Sequence, residues 1–209
     1  EVASLVGARP EEIFFTSGGT EANALAIFGG VRRTGPARPI VTTAIEHPSV
    51  RESVARLAEE LGVESIAVAP AVSGAVDPER ILAAAPPGTP LVTLMAANNE
   101  YGGLLPVAAV ARALRDRGVP VHTDAVQAAG RIPVDAPAWD VDLLSLSAHK
   151  FNGPKGAGAL WVRRGTRMLP ILTGGKHERN RRAGTENVPA IAGMGVAARL
   201  AVQKMVGEA

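Results

Sequence analysis

No cysteine occurs among the 209 residues. A disulfide framework and a thiolate metal site are thereby excluded within the chain, and no thiol is available as a nucleophile. Aromatic side chains make up only 3%, so the stacking platforms that bind single-stranded nucleic acid are nearly absent. Neither sign of charge dominates: a formal net charge of +2 gives no electrostatic footprint for nucleic acid or a membrane surface. No apolar run approaches the roughly 18 residues of a membrane-spanning helix, and there is no internal repeat or low-complexity tract. The 46% hydrophobic and 20% charged residues that remain are those of an ordinary globular domain, long enough for a core without staples. The chain begins at Glu1, not Met, and Glu1 to Gly7 reads as the middle of a helical pattern. A piece of a longer protein, lacking its true N-terminus, is the expectation.

Short apolar runs alternate with helical periods almost throughout. Strands are predicted at 13–16, 39–43, 63–69, 91–96, 121–123, 143–147 and 157–162. Helices are predicted at 21–33, at 48–61 closed by Gly62, after Asp77 with Pro78 in first position, at 106–117 and at 188–206. A charged, Gly-rich loop covers 174–187. This alternation implies a three-layer α/β/α domain with a mostly parallel sheet. Ligands in such folds bind beyond the carboxyl ends of the strands.

Five of the strands run directly into polar segments: Thr16-Ser17-Gly18-Gly19-Thr20-Glu21, Glu46-His47-Pro48, Asn98-Asn99-Glu100, Asp124-Ala125-Val126-Gln127 and Ser147-Ala148-His149-Lys150. Each segment has an ordinary explanation. Gly18-Gly19-Thr20 can be a strand-to-helix turn capped by Thr20, Lys150 a snorkelling lysine, Asp124 a turn acid. Their coincidence on one rim is more specific. A pyridoxal cofactor needs a lysine for its aldehyde, a carboxylate for its pyridinium nitrogen, a phosphate cradle and a flat group against its ring. Lys150, Asp124, Gly19 with Thr20, and His47 offer one candidate for each. The histidines also invite a metal reading, His47 beside Glu46 and His122 near Asp124, but no pair has ligand spacing on a helix. The basic run Arg179-Asn180-Arg181-Arg182 lacks the aromatic partners of a nucleic-acid site.

The segments Phe15-Thr-Ser-Gly-Gly-Thr-Glu-Ala-Asn23, Glu46-His-Pro-Ser-Val50, Asn98-Asn-Glu-Tyr-Gly102, His122-Thr-Asp-Ala-Val-Gln127, Ser147-Ala-His-Lys150, Gly153-Pro-Lys-Gly156 and Arg182-Ala-Gly-Thr185 resemble, in order and spacing, the NifS/IscS-like cysteine desulfurases. These are class V aminotransferase-group enzymes using pyridoxal 5'-phosphate. The resemblance covers essentially the whole chain and implies the large domain of such an enzyme, residues 1–209, without the N-terminal segment and small domain of its parent. It implies that Lys150 holds the cofactor covalently and moves protons, that Asp124 pairs with the pyridine nitrogen, and that His47 stacks on the ring. Asn99 and Gln127 would approach the phenolic oxygen, and Gly19, Thr20, Ser147 and His149 would bind the phosphate. Thr185 would reach the phosphate of the partner subunit in a homodimer. The implied reaction converts L-cysteine to L-alanine, leaving sulfur as an enzyme persulfide for an acceptor such as an iron–sulfur scaffold, in the cytoplasm, without nucleic acid or membrane. The family's persulfide cysteine and substrate-carboxylate arginine lie beyond this chain. Two other readings stay open: a catalytically incomplete scaffold of iron–sulfur assembly, or another class V lyase or aminotransferase.

Overall fold

The structure, a computed structural model, describes residues 1–34 and 38–208. In chain order its elements are β1 (Ile13–Thr16), α1 (Gly19–Thr34), β2 (Ile40–Thr43), α2 (Pro48–Leu61), β3 (Ser65–Val68), α3 (Pro78–Ala84), β4 (Val92–Met95), α4 (Val107–Arg115), β5 (Val121–Asp124), α5 (Ala136–Trp139), β6 (Leu143–Ser147), β7 (Gly158–Val162) and α6 (Val188–Glu208). The strands form one sheet in the order β1-β7-β6-β5-β4-β2-β3. Among the described strands only β7 runs against the rest, antiparallel to both β6 and β1.

Local chemistry accounts for the helices. Proline stands in the first turn of α2, the ring of His47 accepts from Ser49 N, and Gly62 closes the helix at φ +65°, a left-handed conformation that glycine adopts without penalty. Val50, Val54, Leu57 and Ala58 fall on one face and are buried, as helical spacing requires. In α4 the same logic buries Val107, Val110, Ala111 and Leu114. Full burial of each large aliphatic side chain contributes roughly 1.5–3 kcal/mol. Two apolar clusters result, one on each face of the sheet. Leu25, Ile27, Val54 and Leu57 of α1 and α2 build the first. Ile81, Val110, Leu114, Ala136 and Met194 of the other helices build the second. Sandwiched between, β4, β5, β6 and β7 are buried throughout. This is the three-layer arrangement expected from the sequence.

Several boundaries move. The α1 helix starts at Gly19, so Thr20 lies inside it and is no cap. The orphan amide of Ser17 is satisfied instead by Glu21 Oε2 at 2.9 Å. The opening segment is not mid-helix: Ser4–Val6 form a single 3-10 turn stopped by Gly7. The four-residue α5, capped by Asp135, and a 3-10 turn over Ala148–Phe151 are too short to carry a periodic signal.

Two features of the topology fix where a ligand can sit. From β2 the sheet grows outward to β3, whereas β4 returns to the other side of β2 and growth continues through β5 and β6. The gap between these directions is a topological switch point, where crossover loops part and leave a crevice. The return of β7 places Gly158 opposite both Thr16 of β1 and Ser147 of β6, so the turns after β1 and β6 meet at the same edge. A Cβ on Gly158 would lie 2.5 Å from the Gly18 carbonyl carbon, so only glycine permits that approach.

Candidate functional site

A cavity of about 290 Å³ opens at the carboxyl ends of the strands, lined by residues from the turns after β1, β2, β4, β5 and β6. Every site residue predicted from the sequence lines it except Thr185.

Lys150 stands in the 3-10 turn Ala148–Phe151. That turn is pinned at both ends: Ala148 N donates to Ala157 O (3.0 Å) and Gly153 N to Ala148 O (2.8 Å). Ala148 and Phe151 are buried while Lys150 is half-buried, so the turn is anchored by its apolar members and presents the amine to the cavity. Beside it, Ser147 Oγ and His149 Nδ1 are 3.0 Å apart. Gly19 is buried against both β5 and β6 turns: a Cβ there would stand 2.9 Å from Val126 Cγ2 and 3.3 Å from Ser147 Cβ. Gly19 thus brings bare backbone of the first turn of α1 against the turns after β5 and β6, at a helix N-terminus, where amides and the helix dipole favour an anion. Thr20, at the second position of α1, is exposed. On the rim, His149 is held below its ordinary pKa by desolvation and then by Lys150 and Lys155.

Asp124, at the end of β5, is 5% exposed. Its Oδ1 accepts from Val126 N (2.9 Å) and its Oδ2 from Asn23 Nδ2 (2.7 Å). Burial raises its pKa, while these two hydrogen bonds and the charges of His47 and Lys150 pull the other way. When ionised, a carboxylate so placed can pair with a cation, and a protonated ring nitrogen is one that fits. His47 caps α2 through its ring: Nδ1 accepts from Ser49 N at 3.1 Å and lies 2.8 Å from Ser49 Oγ. In its neutral form the ring therefore carries hydrogen on Nε2. Gln127 accepts from Arg131 Nη1 at 2.9 Å, leaving its amide nitrogen as the donor end. The loop that carries Asn99 is set by Asn98, which accepts from Glu100 N and Tyr101 N and donates to Ile45 O.

Thr185 is exposed and lines a separate crevice of about 130 Å³ with Ser17 and Arg182; it is not brought to the cavity of its own chain. The histidine–acid pairs considered as metal ligands are otherwise employed. His122 is wholly buried, its nitrogens 2.7 Å from Thr93 Oγ1 and 2.9 Å from Ser145 Oγ, and desolvation pulls its pKa down to about 3. Glu46 Oε1 accepts from Thr43 Oγ1 (2.5 Å) and Met95 N (2.9 Å), and burial pushes its carboxyl up to about 8. Among the described residues no three His, Cys, Asp or Glu side chains gather as metal ligands would. Sequence reasoning missed Asn23 and Ser49, which line the cavity and join its groups. Asn23 lies one turn into α1, and only its phase relative to Gly19 could have signalled it.

Fold and cavity together make an α/β domain with a lysine, a buried carboxylate and a glycine-lined helix N-terminus around one crevice. The class V aminotransferase model matches residues 1–208, and the chain belongs to that family, whose members are pyridoxal-phosphate enzymes. It is 47% identical over 204 residues to the cysteine desulfurase IscS of Anaeromyxobacter dehalogenans, covering 96% of this chain and 50% of that protein. Among solved structures, a NifS-like protein superposes with a TM-score of 0.94 at 39% identity, covering 99% of this chain and 57% of the other. The protein SspA in complex with cysteine does so with a TM-score of 0.89 at 36% identity, over 95% and 58%. The chain thus spans about half the length of the curated relatives it matches. Among the described residues no helix is long and apolar enough to cross a membrane.

Proposed function

We propose that residues 1–209 are the cofactor-binding large domain of a cysteine desulfurase. The observation that carries this reading is the convergence of Lys150, Asp124, His47 and the Gly19 cradle on one cavity. Pyridoxal phosphate, when bound, supplies an electron sink for the α-carbon of an amino acid. Lys150 would hold it through Nζ and, when that atom is free, take and return a proton there. Asp124 would keep the ring nitrogen protonated, and His47 would cover the ring face. Gly19, Thr20, Ser147 and His149 would receive the phosphate, with Asn99 and Gln127 at the phenolic oxygen.

The substrate is taken to be L-cysteine, because the structural neighbour SspA is in complex with cysteine. Breaking its C–S bond gives L-alanine once a proton is delivered to the carbon left behind, and the sulfur passes to a thiolate as a persulfide. This chain has no cysteine, so that thiolate comes from outside these residues. An iron–sulfur scaffold is the proposed eventual acceptor, in the cytoplasm. Homodimerisation is part of the proposal, because an exposed Thr185 facing away from its own cavity suits service to a partner's phosphate.

The test is turnover by the complete gene product loaded with pyridoxal phosphate. L-cysteine should yield alanine and thiol-bound sulfur in equal amounts, and Lys150→Ala should lower the rate at least 10²-fold, the usual contribution of a positioned acid–base group. Normal turnover by Lys150→Ala, or transamination in place of alanine formation, would remove the desulfurase reading.

A further inference from the structure

On the floor of the cavity the two groups assigned to the cofactor ring are joined by a hydrogen-bonded bridge that their own roles do not require. Asn23 is 1% exposed. An ionised carboxylate only accepts, so the amide nitrogen of Asn23 must be the end that meets Asp124 Oδ2, at 2.7 Å. The same nitrogen lies 2.9 Å from Ser49 Oγ, and an amide has a second hydrogen for that contact. Ser49 Oγ, having accepted from Asn23, lies 2.8 Å from His47 Nδ1 and shares the single lone pair of that atom with the donor Ser49 N at 3.1 Å. Every hydrogen along the path has one consistent direction, outward from the Asn23 amide. Asn23 Oδ1 is buried without a protein partner among the described residues, so the amide is oriented by what its nitrogen donates to.

We propose that Asn23 and Ser49 are positioning residues that hold Asp124 as a carboxylate and couple it to the Nδ1 side of His47 through one amide. The inference rests on the reading of Asp124 and His47 as the ring-facing groups. Burial works against a charged Asp124, and the Asn23 hydrogen bond is among the contacts that oppose it. The other titratable groups acting on Asp124 are His47 from the head of α2 and Lys150 from the turn after β6, which favour its charged form, and Glu46 from the connection before α2, which is coupled to it by like-charge repulsion. His122, two residues back on β5, is engaged by Thr93 and Ser145 and takes no part in the bridge.

The measurement is made on the cofactor-free 209-residue chain, labelled for carboxyl ¹³C and imidazole ¹⁵N resonances. Asn23→Ala should raise the Asp124 titration midpoint by at least one pH unit and shift the His47 Nδ1 resonance, with the Nε2–H tautomer kept by Ser49 N. Ser49→Ala should shift the His47 Nδ1 resonance, which loses one of its two neighbours, while leaving Asp124 within a few tenths of a unit. A merely structural role would move neither readout. An unchanged Asp124 midpoint and an unchanged His47 Nδ1 resonance in both variants would overturn the proposal. Should Asn23→Ala fail to fold, the half-buried Ser49 still decides it: a His47 Nδ1 resonance unmoved in Ser49→Ala would overturn the bridge. Because no cofactor is present, this result stands apart from whether Lys150 is the attachment point.

Discussion

Burial sets the chemistry of single residues in this domain more than surface charge does. Glu46 is the clearest case. Its folded pKa of about 8 lies above its ordinary value of 4.5, with desolvation the main cause. The folded state therefore binds the proton more tightly than the unfolded chain, and stability falls as pH rises from about 4.5 to about 8. Glu46→Gln keeps the shape and an acceptor for Met95 N and Thr43 Oγ1 while removing the charge. Urea unfolding at intervals from pH 5 to pH 9 should show a shallower loss of stability in the variant; an unchanged slope would mean that Glu46 is ionised in the fold. Gly19 makes a second test at this scale. An alanine Cβ would press on Val126 at 2.9 Å and Ser147 at 3.3 Å. Overpacking of that kind costs about 1–3 kcal/mol. Gly19→Ala should keep the far-UV spectrum, lower stability by that amount and weaken binding of pyridoxal phosphate at least tenfold by titration of its absorbance.

At the scale of elements, the central strands and long helices are legible in the sequence because burial makes their apolar runs and helical periods unmistakable. The end of α2 at Gly62 is legible in the same way, as is the entry to α3 at Asp77 and Pro78. The rim residues are legible too, since the strand ends line up from their polar composition alone. Asn23 and Ser49 escape because their role depends on how the faces of α1 and α2 meet over β5, which sequence spacing does not encode. The loop 174–187 is another such case. Its residues close the outer edge of β1: Phe15 N donates to Glu178 Oε2 (3.1 Å) and Arg179 Nη2 to Ile13 O (2.7 Å). Two guanidinium groups, Arg179 and Arg181, lie 4.2 and 4.6 Å from the centroid of Phe14, and Glu178, Arg179 and Asn180 all have positive φ. An edge strand is thereby covered at the expense of backbone strain. Arg182 fastens the far end of the loop by two bonds to Glu21 in the first turn of α1, at 2.7 and 3.2 Å. Arg182→Met should cost about 1–3 kcal/mol, between exposed and fully buried pairs. It should also speed amide exchange at Phe15 and Ser17 well beyond the sheet average. Exchange unaltered at both amides would show that the loop is held without the ion pair.

For the whole molecule, the proposed cofactor binding and the proposed sulfur chemistry separate. All the groups proposed to grip the ring lie on the rim of one sheet, but a chain without cysteine has no thiolate to take sulfur, and no other side chain replaces it at neutral pH. The 209-residue chain with pyridoxal phosphate should turn yellow yet release no sulfide from L-cysteine above the level of free cofactor. Catalytic alanine production by this chain alone would show the thiol to be dispensable. The central claim, that this cavity is a pyridoxal-phosphate site built around Lys150, is tested most directly by borohydride reduction of the loaded chain followed by peptide mapping. Cofactor fixed to the peptide containing Lys150 is the expected result; cofactor fixed to Lys155, Lys176 or Lys204, with Lys150 unmodified, would contradict it.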